Sequence, residues 1–90
     1  MVRVEATPED IRNFAHSLKK FDTDLSNMTF QLGAQFRQLG DTWRDQEHAQ
    51  FAQEFEQTMR VITHFLNVAE RQVPFLLRKA QRLEDYLQER

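Results

Sequence analysis

Apolar residues recur at alternating steps of three and four through Ile11, Phe14, Leu18, Phe21, Leu25, Met28 and Leu32. That spacing draws one stripe along an α-helix and does not fit the two-residue alternation of a strand. The stripe then slips by one position to Phe36 and Leu39, which alters the local supercoil without ending the helix. Lys19, Lys20, Asp22, Asp24 and Gln35 fall off the stripe, as solvated positions do. Gly33 also falls off it, where it weakens the helix yet permits close approach by another chain. Phe30 lies nearly opposite the stripe, either as a lone exposed ring or as a contact for something outside the fold. Residues 1–6 carry no helical start signal, whereas Thr7-Pro8-Glu9-Asp10 does. Thr7 suits the cap, Pro8 fits the first turn, and Asp10 completes a pattern like a capping box.

The break comes at Leu39-Gly40-Asp41-Thr42. Gly40 is expected to close the first helix in the left-handed conformation. Thr42 is expected to cap the second, with Asp45 three residues on as the reciprocal acid. A connection this short makes the helices antiparallel. The second helix carries Ala52, Phe55, Met59, Ile62, Leu66, Ala69, Val73, Leu76, Ala80, Leu83 and Leu87 at three-four spacing without a slip. The reading is therefore one domain over residues 1–90, with helix one at about 8–39, a turn at about 40–42 and helix two at about 43–88. Pro74 interrupts the second helix; the repeat continues through it, which favours a bend over the start of a third helix.

Beside the main stripe of the second helix runs another, Phe51, Val61, Phe65, Val68 and Phe75, on the two neighbouring heptad positions. One facing helix cannot cover so wide an arc. A large apolar side chain left in water forgoes roughly 1.5–3 kcal/mol. The fold class that follows is all-α: an antiparallel hairpin of long helices that dimerises into a four-helix bundle through these five residues. A homodimer and a heterodimer with a similar small hairpin both satisfy this reading.

Composition narrows the function. Ninety residues leave room for one core, and the absence of cysteine removes disulfides and thiol nucleophiles. No apolar run approaches the ~20 residues that span a bilayer, and no basic-then-apolar leader opens the sequence. The expected location is cytoplasmic, with any secretion using a route that reads no cleaved signal peptide, and with no membrane insertion. A net charge of -2 argues against nucleic acid as a partner. From Asp41 to Glu56 five acids face Arg44 alone, while six bases and four acids follow from Arg60 onward. His16, His48 and His64 lie on no metal-binding spacing, and no nucleophile stands beside a base. No enzyme, cofactor or metal is expected. Trp43, the single tryptophan, stands beside the turn with Phe51 and Phe55 following it; it either plugs the end of the bundle or offers an aromatic recognition surface beside an acidic rim.

Trp43 at the inter-helix turn, followed by Ala49 and Phe51, resembles the WXG100 family of ESAT-6-like small helical-hairpin proteins. The turn motif here is Trp43, Asp45 and Phe51, with Asp45 where the family has glycine. The resemblance implies a non-enzymatic substrate, co-substrate or adaptor of a type VII (ESX-like) secretion system, paired with itself or a similar hairpin and in contact with the secretion machinery. The family's export signal, a tyrosine followed four residues later by an acid, is not reproduced: Tyr86 has Arg90 at that spacing and Glu89 one residue earlier. A structural or regulatory coiled-coil adaptor unrelated to secretion is the competing reading.

Overall fold

The computed structural model describes residues 7–89; the sequence readings of residues 1–6 and of Arg90 lie outside the described residues. The described residues form two helices, α1 at Pro8–Leu39 and α2 at Gln46–Gln88. They pack antiparallel in a rod of 68 × 27 × 16 Å. The long dimension follows from α2 alone, since 43 residues at ~1.5 Å each give about 65 Å.

The start of α1 forms as its sequence dictates. The Thr7 hydroxyl accepts from the Asp10 amide at 3.1 Å, and the Asp10 carboxylate accepts from the Thr7 amide at 3.5 Å. Both donors would otherwise be orphaned at a helix start.

The connection differs from the expected turn at 40–42. It runs through Asp45, and α2 begins only at Gln46. Gly40 has φ -63 and ψ -18, ordinary right-handed helical values, so no left-handed cap forms. Instead the amides of Gly40, Asp41, Thr42 and Trp43 donate to the carbonyls of Phe36, Gln38, Leu39 and Leu39, which satisfies the end of α1 with a tightened last turn. Thr42 does not cap α2; its hydroxyl donates backward to the Leu39 carbonyl at 3.3 Å. Asp45 is the cap, accepting from the His48 amide at 3.0 Å. An Asp is at least as good an N-cap as a Thr, and with Thr42 engaged by α1 the later residue takes the role. Asp45 thus starts the second helix.

Through Pro74 α2 is continuous, so the proline begins no third helix. Near the open end the Arg12 guanidinium donates to Glu84 at 2.8 Å and to Gln81 at 3.3 Å, tying the first turns of α1 to the last turns of α2.

Candidate functional site

The deepest positions of the seam between the helices are small residues. Ala15, Ala69 and Ala80 are fully buried, and among the described residues no large side chain is. Half-buried around them are Ile11, Leu18, Leu25 and Phe36 of α1 and the run from Ala52 to Leu83 of α2. The main stripe of α2 therefore faces α1 along nearly its whole length; Leu87 alone of that stripe is exposed.

On α1 the stripe divides. Phe14, Phe21, Met28, Leu32 and Leu39 are exposed, and the seam positions beside them belong to Ala15, Asp22, Thr29 and Gly33. Asp22 is accordingly half-buried, not the solvated residue its polarity suggests. Gly33 brings no close approach by α2, since an added Cβ there would meet only the Arg37 side chain, at 3.7 Å. The large apolar residues of α1 stand on one flank, and the flank of α2 lies beside it. Phe21 and Phe65 meet edge to face with ring centroids 6.0 Å apart, although they are 53 % and 42 % exposed. Leu32 and Leu39 share a cleft with Phe51. Val61 and Phe75 are exposed, and Val68 is half-buried. One continuous apolar flank results, to which both helices contribute. Sequence periodicity assigned the surplus to α2 alone, because it placed the entire α1 stripe in the seam. The signal available to correct it was the line of small residues at 15 and 33 beside the rings.

At the bend the flank runs into an aromatic cluster. The Phe36 ring stacks on the His48 imidazole at 5.4 Å and 7°, and lies 4.5 Å from Phe55 and 5.7 Å from Phe51. Trp43 sets an edge against His48 at 5.0 Å and reaches Phe51 at 6.0 Å. Such offset and edge contacts suit the aromatic quadrupole. Trp43 sits in the connection and not on α2, held by its own amide on the Leu39 carbonyl at 2.9 Å. Glu47, Gln50 and Glu54 join Trp43 and Phe51 around an open cleft of about 440 Å³, so the half-buried indole looks out on an acidic rim. The structure thus brings Trp43 and Phe51 together and gives Asp45 a separate role as the cap. His48 is a packing residue within this cluster; its place between Phe36 and Trp43 could not be read from its acidic neighbours in sequence. His16 and His64 are exposed on outer positions. Among the described residues no group of three or more His, Asp or Glu is placed to hold a metal ion, and no helix is long and apolar enough to cross a membrane.

Known proteins place this geometry. Two crystal structures share it at 21 % sequence identity. One is a secreted protein, EsxB, from Bacillus anthracis str. Sterne, with a TM-score of 0.78 over 96 % of this chain and 98 % of that one. The other is a glycine-to-alanine mutant of EsxB, with a TM-score of 0.76 over 94 % and 98 %. At this identity the likeness shows a common fold. None of the curated proteins matches the sequence. The family model described as "Proteins of 100 residues with WXG" matches residues 3–88. An all-α hairpin with its tryptophan in the bend, matched by that model along almost its whole length, belongs to the WXG100 family.

Proposed function

We propose that the protein is a non-enzymatic substrate, co-substrate or adaptor of a type VII secretion system, and that it works as a pair of hairpins packed flank to flank in a four-helix bundle. The observation that carries this reading is the apolar flank shared by α1 and α2, in a chain of the WXG100 family. Phe51, Val61, Phe65, Val68 and Phe75 supply the α2 half of the interface, and Phe14, Phe21 and Met28 extend it onto α1. A second copy of the chain is the simplest occupant, because a two-fold axis sets the same flank against itself. Charge supports placing the two hairpins head to tail, since that sets the acidic stretch from Asp41 to Glu56 of one beside Arg71, Arg78, Lys79 and Arg82 of the other.

Secretion itself is tested in the native host. Deletion of the secretion ATPase should remove the protein from the culture medium, or, for an adaptor, should abolish its recovery with the apparatus. A chain that is neither exported nor recovered with the apparatus overturns the secretion role. The spacing of Tyr86, with Arg90 and not an acid four residues on, favours export in company with a partner that supplies the signal. Sedimentation equilibrium at micromolar concentration should return about twice the 10.8 kDa chain mass, and a persistent folded monomer defeats the dimer.

A further inference from the structure

One row of the α2 flank ends in opposite charges. Glu54, Val61, Val68, Phe75 and Arg82 follow one another at intervals of seven, the spacing that keeps a line on one face of coiled helices. Val68 is the midpoint, with an apolar residue seven positions to either side and an acid and a base fourteen positions to either side. Glu54 and Arg82 are exposed, and neither forms an ion pair among the described residues. The row that α1 lends to the flank is symmetric in the same way. Phe14, Phe21 and Met28 are also seven apart, stand 61 %, 53 % and 63 % exposed, and have Phe21 at their centre. Phe21 meets Phe65 at 6.0 Å between ring centroids, and Phe65 lies three residues from Val68, about 4.5 Å along the helix. The two midpoints therefore share one level of the rod.

A two-fold axis across the rod sets each helix against its own copy, running the opposite way. Residues equidistant from the axis then meet, and both rows suit that operation about the same level. Val61 comes to Phe75 of the second copy, Phe14 to Met28, and Phe21 and Val68 each to their counterparts. Glu54 and Arg82 each lie about 21 Å from the axis, so the acid of one copy stands beside the base of the other at both ends of the face. Arg78 and Lys79, within one turn of Arg82, add to the positive field that meets Glu54. Hairpins packed with both bends at one end would instead leave the acid and the base about 42 Å apart along the rod. A partner of another sequence has no need of such symmetry, whereas a row whose halves exchange acid for base complements itself.

We infer that Glu54 and Arg82 are the residues by which this chain selects a second copy of itself, through two reciprocal ion pairs that fix a head-to-tail register centred on Phe21 and Val68. The inference rests on the flank-to-flank pairing proposed above and adds its occupant and its register.

The test is a charge exchange in the full-length chain, read by sedimentation equilibrium in low salt and by native mass spectrometry. Glu54→Arg alone and Arg82→Glu alone each turn two attractions into two repulsions, and each should weaken self-association about tenfold, less at 1 M salt. An equimolar mixture of the two should regain the parent affinity as a dimer holding one chain of each kind. The double variant should pair with itself like the parent and not with the parent. Single variants that associate as tightly as the parent, or a mixture that associates no better than its components, overturn the register while leaving the pairing intact. A parent that stays monomeric overturns the pairing itself. Should a single variant lose helix by circular dichroism, the mixture decides: helix regained on mixing supports the inference, and helix that stays lost overturns it.

Discussion

The seam and the flank of this hairpin differ in how much of their apolar surface the single chain covers. The seam holds Ala15, Ala69 and Ala80 with no accessible surface, while Phe14, Phe21, Phe65 and Phe75 stand on the flank largely in contact with water. Small residues let the two backbones approach closely, but at roughly 25 cal/mol per Å² an alanine yields little on burial. Rings yield several times more, and in the single chain about half of that gain is unrealised. The seam thus sets the geometry of the hairpin, and the flank holds most of the energy that could stabilise it. That division is what the proposed pairing of hairpins rests on.

The most damaging change should therefore be on the flank. Phe65→Glu sets a charge beside Phe21 on the apolar flank, and in the proposed two-fold pair it enters twice. Each ring forgoes roughly 1.5–3 kcal/mol of burial, and the new carboxylate needs water that the interface excludes. Sedimentation should show loss of the dimer, and circular dichroism should show a large fall in helix content and Tm. A variant that keeps both the dimer and its Tm would show that Phe65 is not covered, and the division between seam and flank would lose its meaning.

A change in the seam should act differently. Ala69→Leu inserts three carbons where the helices touch, and overpacking of this kind costs roughly 1–3 kcal/mol. The expected result is a lower denaturant midpoint with the dimer retained at high concentration, because the flank is untouched. Equal stability to the parent would mean that the helices can move apart freely, and that the seam sets no spacing.

The two regions were unequally legible in the sequence. The α2 seam could be read directly, since its three-four repeat has no slip and its one polar-looking disruption, Pro74, leaves the helix intact. On α1, hydrophobicity marked the correct half of the helix, but of its stripe only Ile11, Leu18, Leu25 and Phe36 are half-buried, the rest being exposed. Phe14, Phe21 and Met28 are more apolar than Ala15, Asp22 and Thr29, yet the smaller side chains are the more buried. Periodicity reports which arc is apolar and is silent on which edge of that arc meets the neighbouring helix; that is settled by side-chain volume across the pair. The bend failed for another reason. Thr42 and Asp45 are both good caps, and the choice depended on Thr42 donating to Leu39 at the end of α1, a contact that only the folded chain defines. The aromatic cluster was half legible. Trp43 and Phe51 could be placed at the bend from sequence, but the stack of Phe36 on His48 required the antiparallel register.

The bend supplies the next test, since two neighbouring candidates for one role are separable. Asp45→Ala removes the side chain that accepts from the His48 amide and should cost about 1 kcal/mol, the usual value of an N-cap. Thr42→Ala removes only a 3.3 Å bond to a carbonyl that already accepts the Trp43 amide, and its effect should fall within ~0.5 kcal/mol of zero, as most surface changes do. Urea denaturation of the two variants beside the parent checks this. The reverse ranking would place the start of α2 at Thr42 and move Trp43 from the connection onto the helix.

The smallest expected effect lies at the open end, where polar contacts supplement the seam. The hydrogen bond from Arg12, and secondarily its charge, hold the Glu84 carboxyl below its ordinary value of 4.5. The hydrogen bond to Glu84 likewise raises the Arg12 guanidinium further above its usual value. A carboxyl with a lowered folded value stabilises the native state fully above its unfolded value and loses that contribution as pH falls through the folded one. The contribution is therefore complete at neutral pH and disappears only below the ordinary glutamate range. Both side chains are about one-third exposed, so water and salt screen the pair and hold its contribution to the low end for ion pairs. Glu84→Gln keeps a group that accepts from Arg12 but does not titrate. In low salt, the fall in Tm between pH 5 and pH 3 should be slightly shallower for this variant than for the parent, and the difference should vanish when salt is raised to about 1 M, where the screening length is near 3 Å. A parent and variant with identical acid slopes in low salt would show that Arg12 and Glu84 are neighbours without coupling, leaving the seam alone to close the open end.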